Sequence, residues 1–108
     1  MNLENTYKGY NQAKKPEYDK LISHTDHGTP AGEYLRRYWH PVTLSSEVTT
    51  TPLEIRILGE DLVIFKTTEN RIGLVHKHCT HRRASLVFGK SESKGIRCCY
   101  HGWLFSLD

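Results

Sequence analysis

Cys79-Thr80-His81 and Cys98-Cys99-Tyr100-His101-Gly102-Trp103 are the stretches that decide how this chain of 108 residues is read. Each pairs a cysteine with a histidine, and 16 residues separate His81 from Cys98. In extended backbone, residues two apart point the same way with Cα atoms about 6.5 to 7 Å apart, so Cys79 and His81 suit two different metals better than one shared ion. If the second stretch mirrors the first, two thiolates take one iron and two imidazoles the other, giving a two-iron, two-sulfide centre of mixed ligation. Two alternatives stand beside this. A Cys₂His₂ zinc site uses the same residue types, but with about two to four residues between the cysteines and helical spacing of the histidines, which a C-x-H pair does not match. Taken singly, each cysteine also reads as a small buried hydrophobe and each histidine as a surface residue. Two such pairs, each beside an expected strand, make that coincidence a poor account.

Working outward, Leu53, Ile55 and Ile57 alternate with Glu54 and Arg56, the two-residue period of a half-buried strand. Gly59-Glu60-Asp61 reads as a turn, Leu62 to Thr67 as the returning arm, Glu69-Asn70-Arg71 as the next turn, and Ile72 to His76 as a third strand feeding the first Cys/His loop. Val87 to Gly95 reads as a polar loop, Ile96-Arg97-Cys98 as a short strand, and Trp103-Leu104-Phe105 as the start of another. The expected fold is mainly β and antiparallel. Upstream, Thr29 caps a helix with Pro30 at its first position. Tyr34, Leu35, Tyr38 and Trp39 share one face, and His40-Pro41 ends the helix. Residues 1–20 are polar, with no clear period, and read as an extended arm. The expected organisation is therefore a polar N-terminal arm over 1–27 and one domain over 28–108.

Composition agrees with one small globular domain. The chain has 37% hydrophobic and 10% aromatic residues, enough for a modest core and unlike a disordered or fibrous chain. A net charge of +3, from 15 Lys plus Arg against 12 Asp plus Glu, gives no basic face for nucleic acid. The longest apolar run, Leu62-Val63-Ile64-Phe65, falls far short of the roughly 20 residues that span a bilayer, so no membrane helix is expected. Met1-Asn2-Leu3-Glu4-Asn5 lacks the basic start and apolar stretch of a secretory signal, so a cytoplasmic location is expected. With 3 cysteines and 7 histidines, metal ligation is a better reading than a disulfide framework.

The run Cys79-Thr80-His81-Arg82, then Ala84-Ser85-Leu86, closed by Cys98-x-x-His101-Gly102-Trp103, resembles the N-terminal Rieske domain of the Rieske non-haem iron oxygenases. Gly32-Glu33-Tyr34-Leu35-Arg36-Arg37-Tyr38-Trp39-His40-Pro41 and Leu58-Gly59-Glu60-Asp61-Leu62-Val63 look most like the phthalate dioxygenase group. The resemblance implies a small antiparallel Rieske-type [2Fe-2S] β-sandwich with a short N-terminal helix. It assigns Cys79 and Cys98 to the buried iron and His81 and His101 to the outer one. Gly102 would permit a tight turn, Trp103 would pack against the loops, and Tyr100 would pack or donate a hydrogen bond near the cluster. There are departures. Arg83 stands where the family often has glycine, and Cys99 fills a place usually held by other residues. Ala84 occupies the position of one disulfide partner in respiratory Rieske proteins, so Cys99 is expected to be a free, packed thiol.

The same resemblance implies that electrons arrive from a reductase or ferredoxin and pass to a mononuclear non-haem iron in a C-terminal catalytic domain. That iron activates O₂ against an aromatic or related small molecule, and the full protein would be a homotrimer. His24-Thr25-Asp26-His27 has the residue types of such an iron site but reads as an exposed loop. Lys77, Arg82 and Arg83 surround the first loop without an intervening acid, a basic collar suited to an acidic redox partner. Competing readings are a stand-alone Rieske ferredoxin and a zinc-binding interaction module. Only 7 residues follow His101, too few for the strands that follow the second loop in such domains, so the chain is expected to be a domain truncated at its C-terminal end.

Overall fold

Six strands in two antiparallel sheets organise residues 17–108, the part of the chain that the computed structural model describes. Residues 1–16 of the expected N-terminal arm lie outside the described residues. In the first sheet β1 (Leu53–Ile57), β2 (Glu60–Lys66) and β3 (Ile72–His76) lie in sequence order. The second sheet holds β4 (Lys90–Ser91), β5 (Gly95–Arg97) and β6 (Leu104–Ser106), also in sequence order. The mainly β, antiparallel fold expected from the alternating pattern is the one observed.

Register explains the core. As the middle strand, β2 is covered on both sides by partners and carries the apolar run Leu62–Phe65, of which Val63, Ile64 and Phe65 are buried. Phe65 stands opposite Gly73 on β3, and a methyl at Gly73 would collide with the Phe65 ring and with Leu107. The missing side chain makes room for the aromatic one. Val63 and Phe65 meet Ile96 of β5 and Leu86, and this cluster also contains the two cysteines Cys79 and Cys98. The core therefore runs directly into the two Cys/His loops.

Three local expectations are corrected. The β1–β2 turn is Leu58-Gly59 rather than Gly59-Glu60-Asp61. Ile57 pairs with Glu60, and the two central residues have φ of 51° and 79°, the doubly left-handed geometry that matches strand twist in a two-residue hairpin loop. Glu60 and Asp61 belong to β2. Second, the stretch from Val87 to Gly95 is not loop throughout. A 3₁₀ turn over Leu86–Phe88 leads into β4, where buried Ser91 donates its hydroxyl to Thr50 O at 2.7 Å.

Third, the helix is shorter than expected and buries a different face. Here α2 covers Pro30–Leu35, with Thr29 Oγ1 accepting from Gly32 N. Tyr34, Tyr38 and Trp39 are exposed, and only Leu35 of the expected face is partly covered. The anchor is polar: the Arg36 guanidinium donates to Thr25 O at 2.9 Å, Leu58 O at 2.6 Å and Glu60 Oε1 at 3.1 Å. This arginine holds the helix end against the β1–β2 hairpin. The His40 ring lies 2.7 Å from Leu35 O, one of the last helix carbonyls.

The described residues before Thr29 include a structured element. Asp19 caps a single helical turn, α1 (Lys20–Ser23), by accepting from Leu21 N. Thr29 Oγ1 reaches His24 O and Asp26 O at 2.8 and 2.7 Å, so hydrogen bonds cross the boundary drawn between 27 and 28. Among the described residues no helix is long and apolar enough to cross a membrane.

Candidate metal centre

The two Cys/His loops are built alike. The first leaves β3 and is closed at its base by a bridge between His78 and Ser85; the second joins β5 to β6. In each loop the cysteine N–H donates to the carbonyl five residues on: Cys79 to Ala84 at 2.8 Å and Cys98 to Trp103 at 2.8 Å. In each loop the cysteine carbonyl accepts from the residue four on: Arg83 at 2.7 Å and Gly102 at 3.1 Å. That fourth residue is left-handed in both, with φ of 61° at Arg83 and 80° at Gly102. Arg83 therefore occupies the glycine conformation with a side chain attached, which settles how the first loop accommodates it. The loops differ in one respect: the histidine is two residues after Cys79 but three after Cys98.

An arginine held in the left-handed region costs roughly 1 kcal/mol relative to a residue at ease there. Arg83→Asn is expected to raise the stability of the chain by about that amount, a shift of about 4 to 8 °C in Tm for a domain of this size. Thermal unfolding followed by circular dichroism checks it.

The geometry separates thiols from imidazoles. Cys79 and Cys98 are 2% and 4% exposed and sit in the core, while His81 and His101 are exposed. The Cys98 sulfur accepts from the Tyr100 N–H, touches the Cys79 thiol and accepts from the His101 N–H. The Tyr100 hydrogen bond does most to hold the thiol below its usual range, against the opposing effect of burial. The His81 and His101 rings lie side by side at 4.9 Å between centroids and 75° between planes. Trp103, from the second loop, stacks on His81 of the first at 4.4 Å and 10°, the packing role expected of it. Tyr100 lays its ring against His101 at 3.9 Å, and it is its backbone N–H rather than its hydroxyl that serves the cysteine.

These residues fit a two-iron cluster. Two buried thiols face inward and two exposed imidazoles face outward from loops of matching shape. Among the described residues no three or more His, Cys, Asp or Glu side chains converge as they would around one ion, which is the pattern a single tetrahedral zinc requires. His24, Asp26 and His27 form no such group either, and exposed His27 lies 3.9 Å from Glu33.

Two expectations about the loop surfaces are corrected. Cys99 is free, as expected, but exposed rather than packed, because it points away from the core that receives Cys98. Lys77 is not an unpaired cation: its Nζ lies 2.6 Å from Glu54 Oε1, a partner from β1 far away in sequence. Arg82 and Arg83 alone remain of the collar. Arg97, the last residue of β5 and one residue before Cys98, pairs with Glu92 and reaches Gly102 O at 2.7 Å. Its only sequence signal is its place beside Cys98.

Paired loops that offer buried thiols and exposed imidazoles at one end of two small antiparallel sheets define a β domain built to hold an iron–sulfur cluster. Residues 38–108 match the Rieske [2Fe-2S] domain, and the chain belongs to that family, whose members carry a [2Fe-2S] cluster. It is 57% identical over 90 residues to the phenoxybenzoate dioxygenase subunit alpha of Ectopseudomonas oleovorans, a match covering 83% of this chain and 22% of that one. It is 43% identical over 96 residues to the phthalate 4,5-dioxygenase oxygenase subunit of Pseudomonas putida, covering 86% and 22%. Among solved structures, the reduced complex between oxygenase and ferredoxin in carbazole 1,9a-dioxygenase matches with a TM-score of 0.54 and 28% identity, covering 64% of this chain and 18% of that one. The chain spans about a fifth of the length of the curated relatives it matches.

Proposed function

We propose that this chain is the electron-transfer domain of a ring-hydroxylating type of oxygenase α subunit, with Cys79 and Cys98 ligating the inner iron of its cluster and His81 and His101 the outer iron. The observation that carries the assignment is the sorting of the four side chains: both thiols buried in the core, both imidazoles exposed side by side. The relatives at 57% and 43% identity, an α subunit and an oxygenase subunit, support the wider reading. Bound there, the cluster supplies one-electron carriage at the higher potential that histidine ligation confers, between a reductase or ferredoxin and a mononuclear non-haem iron in a catalytic domain.

The chain's own residues do the rest. The core around Cys79 and Cys98 excludes water from the inner side, and the exposed imidazoles of His81 and His101 present the outer side to a redox partner. Arg82 and Arg83 beside His81 supply positive charge for an acidic partner surface. The oxygenase–ferredoxin complex among the solved relatives supports a protein partner of that kind. The substrate class is aromatic or related, reached through the catalytic domain, and the whole protein is a cytoplasmic homotrimer. Residues 28–108 form the functional domain, with 1–27 as a lead-in whose His24 and Asp26 carbonyls are tied to its first helix.

Iron, zinc and sulfide analysis of the purified chain tests the core of this reading, together with an EPR spectrum after reduction. The expected result is two irons and two sulfides per chain and a reduced-state signal. Stoichiometric zinc without sulfide would replace this reading with that of a zinc-binding module.

A further inference from the structure

The residue just before each cysteine reaches across its own loop. Arg97 Nη1 donates to Gly102 O at 2.7 Å, and His78 Nδ1 lies 3.3 Å from Arg83 O. In both loops the target is the carbonyl of the left-handed residue. The Arg97 contact is the tighter one, because the rest of the guanidinium is fixed as well. Its Nε and Nη2 donate to Glu92 Oε1 and Oε2 at 2.7 and 2.9 Å, a bidentate pair across the β4–β5 turn. Glu92 is itself tied down through its backbone, donating to Gly95 O at 2.8 Å and accepting from Thr68 N at 3.3 Å. A planar fork gripped along one edge has no freedom to turn, so its third N–H arrives at Gly102 O in one direction only. The two side chains are 41% and 30% exposed, and a solvent-exposed ion pair of this kind adds little to global stability.

We propose that Arg97 is the positioning residue of the second cluster loop, aimed by Glu92. By holding the Gly102 carbonyl it fixes the left-handed turn next to His101, and through that turn the direction in which the imidazole is presented. This rests on His101 being a cluster ligand.

The test uses the cluster-loaded chain and the variants Arg97→Gln, Arg97→Lys and Glu92→Gln. Three quantities are read: the EPR spectrum of the reduced cluster, the rate of iron loss to a chelator, and Tm. Arg97→Gln is expected to alter the EPR signal and to speed iron loss about tenfold, with Tm changed little, as for an exposed substitution. Arg97→Lys keeps the charge but cannot serve both Glu92 oxygens and Gly102 together, so it is expected to behave like Arg97→Gln. Glu92→Gln, which loosens the aim while leaving the donor, is expected to fall between that variant and the parent. A parental EPR signal and iron-loss rate in Arg97→Gln would overturn the proposal, as would iron loss that rises only in step with a fall in Tm. Absence of a two-iron, two-sulfide centre in the parent chain would instead overturn the ligand assignment, so the two failures are told apart.

Discussion

Cys98→Ser is expected to leave the purified chain colourless, with iron and sulfide at background, whereas Cys99→Ser one position later is expected to keep the full complement of both. The contrast follows from burial and hydrogen bonding. Cys98 is buried against Cys79 and has two backbone N–H groups directed at its sulfur, which favour the thiolate that iron requires. Cys99 is exposed and outside this arrangement. A serine hydroxyl stays protonated at neutral pH and is a poor iron ligand in place of a soft thiolate. Because Cys98 also belongs to the core cluster, the variant is expected to melt earlier than the loaded parent, as a protein does when it loses a ligand bound only by the folded state. A Cys98→Ser chain that retained its iron and sulfide would show that this thiol is not a ligand.

The second large effect is Phe65→Ala, expected to destabilise the chain by about 3 to 5 kcal/mol. Phe65 has no exposed surface and lies on the middle strand, one residue before its end. Opposite it stands Gly73, which has no side chain to move into the vacated space, so collapse around the cavity is limited. Against the usual 5 to 15 kcal/mol of a folded domain, roughly that much loss takes a large share of the total. Urea denaturation measures it directly. Phe65→Leu, which keeps most of the volume, is expected to cost markedly less, about 1 to 2 kcal/mol. A loss below about 1 kcal/mol for the alanine variant would mean that the core does not sit where Phe65 is buried.

The cluster loops were legible in the sequence because their chemistry is local. A cysteine and a histidine two or three residues apart need no knowledge of the rest of the fold. The alternation at Leu53–Ile57 was equally plain, since a strand with one face inward prints its period on a few residues. What stayed hidden depends on partners far away in the chain. Lys77 looks unpaired until β1 brings Glu54 beside it, and the aromatic face of α2 looks buried until Arg36 is seen docking that helix on the hairpin. The Leu58-Gly59 turn was missed by one register step because Leu58 is a poor sequence marker for a left-handed residue. The contacts of Arg97 are hidden for the same reason as that of Lys77, since they need Glu92 and Gly102 brought together in space.

The stacking of Trp103 on His81 has a kinetic consequence. The indole comes from one loop and the imidazole from the other, so the two halves of the site are clamped together by a face-to-face contact at 4.4 Å. Neither loop can swing without dragging its neighbour. A cluster seated between loops clamped this way is expected to keep nearly the same surroundings before and after its charge changes. Little of the barrier to electron transfer is then spent on rearranging the protein, the advantage that a preorganised polar site holds over solvent.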